Sequence, residues 1–366
     1  MLKTFEVENF SGFKKRLVFD LSKIREYQFQ SDLIQKGLVN KAIVVGKNGS
    51  GKSNLGLALF DLTTHLTDKI KIRSPFWYCN LDSNAKVAEF KYTFLFGKEE
   101  VIYEYAKTTP INLVYERLFV NGENMIDYNH RNKKNNVIQL PEANNLNIDL
   151  PSDDLSIIKY IYRNTRQTED SALSKLIKFT DNMLWFRCLK NNEFGGYRET
   201  AQRLVDMIYQ KNALKQFEEF LSDNNLNYKL SIEFNPSLNQ RDIMANFKKG
   251  SVPFSSIFST GTGALWLYFH WSLEFDSISF LFLDEFDAFY HFETAEYILK
   301  DINKRSSFQA VVTTHNTSLL SNDTTRPDCA YILCDNKLTC LSDCTDKEIR
   351  EAHNLEKMYR NGAFEY

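Results

Sequence analysis

The chain has 366 residues, of which 43% are hydrophobic and 25% charged, and its formal net charge is −2. That length supports one large core or two domains, and the near-neutral balance does not predict nucleic-acid recognition by bulk charge, leaving local patches open. No apolar run nears the roughly 20 residues of a membrane span, and "MLKTFEVENF" lacks a signal-peptide core, so a cytoplasmic protein without membrane contact is expected.

In chain order, "TFEVENF" alternates polar and apolar residues and predicts a strand, and "RLVFDLS" predicts a second one after the Ser11-Gly12 turn. "KAIVV", residues 41–45, is a short β-branched run and predicts a buried strand. It leads into "GKNGSGKSNL" and then "SNLGLALFDLTTHLTD". There Leu55, Leu59, Leu62 and Leu66 fall on one helix face. Residues 87–128 are strand-rich, with hairpin turns at "FGKEE" and "VNGEN". Residues 129–151 are polar and Asn-rich, as in an exposed loop. Residues 152–222 read as helical, with Leu155, Ile158 and Tyr162 on one face and Leu204, Val205, Ile208 and Tyr209 on another. No heptad run is long enough for a coiled-coil arm. "YKLSIEFNPSL" predicts a strand, "GTGALWLYFHWSLEF" a helix, "SISFLFL" and "QAVVTTH" buried strands, and "DCAYILCDNKLTCLSD" a final hairpin.

Four short motifs carry chemistry. "GKNGSGKS" fits G-x-x-x-x-G-K-[ST] between a strand and a helix, the phosphate-binding P-loop context. Gly46, Lys47, Asn48, Gly49, Ser50, Gly51, Lys52, Ser53 and Asn54 are therefore candidate nucleotide contacts. Lys52 reaches toward β- and γ-phosphates, and Ser53 ligates Mg²⁺. "FLFLDEFDAFYH" ends a buried strand in adjacent carboxylates, which are costly to bury unless paired. Downstream of a P-loop this is the Walker B arrangement, with Asp284 as the Mg²⁺ carboxylate and Glu285 as general base. "FSTGTGAL" opens a helix just before that strand. Ser259 and Gly261 match the Ser and second Gly of the ABC signature, while Thr260 and Thr262 replace its usual Gly and Gln. "VVTTHN" places His315 at a strand end, the position of a switch histidine toward the γ-phosphate.

The order P-loop, signature, Walker B, switch histidine predicts an α/β P-loop NTPase of ABC-ATPase type. No NKxD motif marks a GTPase, and no arginine-finger constellation marks an AAA+ ring. The expected architecture is a mixed sheet with an antiparallel β subdomain and a helical insertion. Its divisions are 1–128, an N-terminal lobe with the P-loop; 129–244, an insertion or helical lid; and 245–366, a C-terminal lobe with the other three motifs.

"FEVENFSGFKK" followed by "AIVVGKNGSGKSNL" resembles the N-terminal lobe of RecF/SMC-like ATPases. "DEFDAFYH" and the tail "RPDCAYIL…NLEKMYRNGAFE" resemble the overcoming-lysogenization-defect and abortive-infection ATPases, including RloA-like proteins. The resemblance covers about residues 1–120 and 245–366. It puts His291 where transporter-type relatives carry the D-loop Asp, hence among the nucleotide contacts. It implies ATP and Mg²⁺ as ligands and a homodimer that sandwiches two ATP molecules, with higher oligomers left open. It also implies a role in anti-phage defence through an effector, a nuclease or toxin. Because the residues after His315 read as the family's ATPase tail, that effector is expected on a separate chain. Two alternatives stand beside it: a RecF-like DNA repair or maintenance ATPase, and an ATP-bound scaffold with negligible turnover. The basic clusters "NHRNKKNN" and "NFKKG" keep nucleic-acid contact open. No local pattern fixes a Q-loop residue, though Gln139 lies in the broad region. Cys329, Cys334, Cys340 and Cys344 lack zinc-site spacing and read as reduced thiols. His65 reads as structural.

Overall fold

The computed structural model describes residues 1–69, 77–188, 193–197, 204–236, 239–347 and 349–365. Its centre is a seven-stranded sheet in the order Glu193–Gly196, Met183–Arg187, Phe280–Asp284, Gln309–Thr314, Lys41–Val45, Ala330–Cys334 and Lys337–Cys340. The five inner strands pair in parallel, and an antiparallel strand closes each edge. Parallel strands are covered on both faces, which is why "KAIVV", "FLFLD" and "QAVVTT" are buried along their whole length.

Side-chain alternation divides those strands between two cores. Val44, Trp185, Phe280, Phe282 and Val311 pack toward the helix Lys52–Leu59 and the N-terminal lobe. Ile43, Val45, Leu184, Leu281, Leu283 and Val312 pack toward the helices Thr260–Ser272 and Phe292–Lys304.

The N-terminal lobe is a second seven-stranded sheet, in the order Val137–Ile138, Glu123–Asn129, Leu113–Val120, Glu99–Lys107, Ala88–Phe96, Leu2–Glu8 and Leu17–Asp20, with every pairing antiparallel. Its inner face is aromatic: Phe5, Tyr92 and Tyr103 lie in register across three strands. Tyr92 Oη donates to the Ala58 carbonyl of the P-loop helix at 2.8 Å. Where that helix ends, Asp61 accepts from Lys107 Nζ at 2.7 Å, Tyr78 Oη at 2.9 Å and Tyr105 Oη at 3.0 Å. These donors make burial of the Asp61 carboxylate tolerable.

Two sequence expectations are corrected. Residues 152–222 are not uniformly helical. Helices Ile157–Asn164, Ala172–Asp181, Leu204–Gln210 and Leu214–Asp223 are there, but Met183–Arg187 and Glu193–Gly196 are strands. "MLWFR" is a short buried run whose period does not separate helix from strand; pairing with the Walker B strand decides it. The segment expected as a lid thus also supplies two strands of the central sheet. The helix after the P-loop also breaks: Lys52–Leu59 is followed by a turn and a short helix, Thr63–Leu66. Leu55, Leu59, Leu62 and Leu66 are nonetheless all buried.

A third core joins the helices Leu204–Gln210 and Leu214–Asp223 to a three-stranded sheet, Leu230–Asn235, Gln240–Phe247 and Gly250–Pro253, against Trp266 and Phe269 of the signature helix. Among the described residues no helix is long and apolar enough to cross a membrane.

Candidate functional site

The P-loop leaves the buried strand Lys41–Val45 at Gly46 and turns into the helix at Gly51, whose φ of 105° suits glycine. A Cβ on Gly46 would lie 2.5 Å from Ser50 Oγ and 2.7 Å from the Leu333 carbonyl, so the loop closes tightly there. Lys47, Asn48 and Gly49 are exposed at the rim, with φ of 79° at Gly49. Asn54 faces the other way: its Oδ1 accepts from Ser11 Oγ at 3.3 Å and ties the helix to the first hairpin.

Lys52 is buried, and its ammonium contacts the Gly46 carbonyl at 2.9 Å, the Lys47 carbonyl at 3.3 Å and His315 Nδ1 at 3.0 Å. Burial pulls its pKa down, against the charges of Glu285, Asp284 and Asp287. His315 Nε2 lies 2.7 Å from Glu285 Oε1. An ionised carboxylate only accepts, so Nε2 carries the proton. Nδ1 lies 3.0 Å from both the Lys52 ammonium and the Gly46 carbonyl, so the imidazole sits between that pair and the Glu285 carboxylate.

The Walker B strand Phe280–Asp284 delivers Asp284 to the same place. The residue is 5% exposed and accepts from Thr313 Oγ1 at 2.9 Å, with Ser53 beside it. Burial raises its pKa, and the Ser53 and Thr313 hydroxyls pull it back. The Thr313 hydroxyl also accepts from Glu285 N at 2.8 Å, so one side chain fixes both acids. Glu285 stands at φ 52°, a left-handed conformation that costs a non-glycine residue on the order of 1 kcal/mol and re-aims its carboxylate. Asp287 accepts from Thr314 Oγ1 at 2.8 Å, and burial raises its pKa too.

The signature residues form a separate cluster. Ser259 caps the helix Thr260–Ser272: its Oγ accepts from Thr262 N at 3.2 Å and lies 3.0 Å from Thr262 Oγ1. A Cβ on Gly261 would come within 2.9 Å of the Phe289 carbonyl, so this turn packs on the backbone that follows Walker B. His291 is exposed at the start of the helix Phe292–Lys304, its Nδ1 4.0 Å from Glu293 Oε2. Among the described residues, no hydrogen bond joins Ser259, Gly261, Thr262 or His291 to the P-loop. The fold therefore assembles Lys52, Ser53, Asp284, Glu285 and His315 into one site and holds the other four apart, with Ser259 and His291 exposed, Gly261 partly exposed and Thr262 buried. Gln139 lies beyond the edge strand of the N-terminal lobe, where its N–H bonds the Met125 carbonyl.

Three residues went unrecognised in the sequence. Thr313 and Asp287 sit inside recognised motifs, but only the paired strand ends give them partners. Arg187 pairs in register with Asp284 on a strand that reads as helix, so no local signal marks it.

The residues present suit a nucleoside triphosphate with Mg²⁺. Ser53 and Asp284 lie side by side, the usual protein share of a Mg²⁺ site completed by phosphates. Ser50 Oγ is buried without a protein partner inside the loop, an acceptor or donor left for a ligand. No cluster of three His, Cys, Asp or Glu side chains suited to a metal occurs among the described residues.

Among solved structures, the chain is similar to an SMC head domain from Thermotoga maritima, at 16% identity over 92% of this chain and 97% of that one, with a TM-score of 0.43. It is similar to an Smc head domain with an extended coiled coil bound to the C-terminal domain of ScpA, derived from Pyrococcus furiosus, at 14% identity over 99% and 98%, TM-score 0.44. It is also similar to the recombination mediator protein RecF with ATP, at 17% identity over 93% and 99%, TM-score 0.39. No curated protein matches. A family model described as "AAA domain, putative AbiEii toxin, Type IV TA system" matches residues 41–321, from the P-loop strand to just past His315. The chain belongs to that family of AAA-domain ATPases.

Proposed function

We propose that this protein hydrolyses ATP as an ABC-type head, that ATP closes a homodimer, and that the closing and opening of the dimer controls a separate effector in bacterial anti-phage defence. One observation carries the dimer: the hydrolytic set surrounds Lys52, whereas Ser259 is exposed on another turn with no bond to it. Such a split set is complete when a second chain supplies the signature. The defence role rests on the family description, which names a toxin–antitoxin system.

In this reading the P-loop amides and Lys52 bind the phosphates, and Ser53 and Asp284 hold Mg²⁺, which neutralises charge on the β- and γ-phosphates. Lys52 must exchange its contacts with Gly46, Lys47 and His315 for phosphate oxygens. That exchange takes the Lys52 ammonium away from His315 Nδ1, leaves it the Gly46 carbonyl, and makes the His315–Glu285 pair responsive to ligand. Glu285 accepts a proton from the water that attacks the γ-phosphorus as the bond to ADP breaks. Ser259 and the helix N-terminus behind it bind the γ-phosphate across the interface, with Gly261, Thr262 and His291 beside them. Differential affinity of ATP for the closed state shifts the population toward it.

The test is oligomeric state with and without ATP, by light scattering, for the wild type and Glu285→Gln. The amide keeps the geometry and removes the base, so the variant should accumulate ATP-dependent dimers while hydrolysis falls by about 10²- to 10⁴-fold. If ATP drives no association in either protein, the sandwich is wrong. Co-purification on the trapped variant then tests for a separate effector, and binding only of DNA would replace the defence reading with a DNA-maintenance one.

A further inference from the structure

We propose that Arg187 is a nucleotide-contacting residue whose guanidinium binds the terminal phosphate of ATP from the strand beside Walker B, across the cleft from Lys52. The inference rests on the nucleotide reading above and adds a ligand that no sequence motif supplies.

The argument starts from strand register. Met183–Arg187 runs parallel to Phe280–Asp284, with Trp185 opposite Phe282 and Arg187 opposite Asp284. Side chains two apart share a face of a sheet. The face is fixed by Gly56 of the P-loop helix, where an added Cβ would lie 2.6 Å from the Phe282 ring and 2.7 Å from that of Trp185. Both rings thus point at the P-loop helix. One step along each strand's repeat, Arg187 and Asp284 point to the same side.

Position on the helix agrees. Ser53 lies three residues before Gly56, on the same helix face and one turn nearer the phosphate-binding end. Ser53 is close enough to Asp284 that its hydroxyl draws the carboxyl's pKa down. Arg187 therefore flanks the Ser53–Asp284 pair on one side, as Thr313 flanks it on the other. The amide of Cys188 donates to the Asp284 carbonyl at 3.2 Å and extends the pairing past the strand end. The guanidinium carbon is 5.4 Å from the Trp185 ring centroid, which keeps the head group over the helix-facing side.

Chemistry selects the ligand. Asp284, Glu285 and Asp287 crowd the mouth of the site, and each repels a triphosphate. Lys52 offers one compact charge. An arginine presents a planar fork that matches two phosphate oxygens at once, a geometry lysine lacks. Placed beside the Mg²⁺ carboxylate, that fork meets the γ-phosphate end of a nucleotide rather than its base. It would distinguish ATP from ADP.

Binding is the readout. Affinities for ATP and ADP are measured by calorimetry, with Mg²⁺ and with EDTA, for the wild type, Arg187→Gln and Arg187→Lys. Both substitutions should weaken ATP by about tenfold or more while leaving ADP within about twofold, since a charged hydrogen-bond pair is lost only where a γ-phosphate exists. The ATP loss should persist in EDTA, because the guanidinium acts without the metal. Equal losses for ATP and ADP, or no loss in folded variants, overturn the proposal. Failure of both variants to fold would assign Arg187 to the core instead and overturn it as well. A wild-type protein that binds neither nucleotide would defeat the broader reading, a result distinct from these.

Discussion

Lys52, His315 and Glu285 form a continuous polar chain in which each member constrains the next. A second lysine shows how burial alone changes chemistry. Lys41 begins the P-loop strand, is 4% exposed, and has its pKa pushed down to about 7 by burial. Its Nζ donates to the Phe308 carbonyl and lies 4.6 Å from that ring's centroid. Unfolded, the amine keeps its ordinary value of 10.5. Between about 7 and 10.5 the unfolded chain therefore binds a proton that the folded chain does not, and stability rises with pH across that window. Below it both forms are charged and the slope vanishes. Lys41→Met should flatten this rise in a Tm-against-pH series and melt above the wild type near pH 7. An unchanged slope would show that Lys41 stays charged in the fold.

At the scale of elements, the P-loop helix is held by two kinds of contact. Gly56 lets it lie directly on Trp185 and Phe282 of the sheet. Asp61, at its far end, is gripped by Lys107 and two tyrosines of the N-terminal lobe. Gly56→Ala poses two opposed effects. Better helix propensity gives about 1 kcal/mol of stabilisation. A Cβ 2.6 Å from a buried ring forces a displacement whose cost is typically about 1–3 kcal/mol. The ring atoms belong to side chains buried at 0% exposure and cannot swing aside, so the clash should win. Urea denaturation should show net destabilisation, and ATP affinity should fall as the helix start moves. A more stable variant would mean the helix stands farther from the sheet than described.

For the whole molecule, the proposed division of the site between two chains has a consequence that single-chain chemistry cannot mimic. A Lys52→Ala chain lacks phosphate binding but keeps its signature turn. A Ser259→Arg chain keeps its P-loop but presents a blocked turn. Each should be inactive alone. Mixed, they should form dimers with one site that combines an intact P-loop with an intact signature. ATP hydrolysis should therefore recover in part on mixing. No recovery, with each chain folded and with dimers present, would place the whole hydrolytic set within one chain.

The sequence by itself determined the local parts. "GKNGSGKS" between a strand and a helix, "FLFLDE" and "VVTTH" were legible because loop chemistry and apolar runs are encoded within a few residues. The buried parallel strands, the antiparallel lobe and the final hairpin were legible for the same reason. What the tertiary structure decided is everything set by pairing at a distance. "MLWFR" becomes a strand only because Phe280–Asp284 offers it hydrogen bonds and a buried edge. Thr313 gains a role only because its strand ends beside Asp284 and Glu285. Arg187 comes beside Asp284 from nearly a hundred residues away in sequence. Local sequence fixes what a segment can form. Long-range registry and burial fix which residues meet, and the chemistry of this site lies in those meetings.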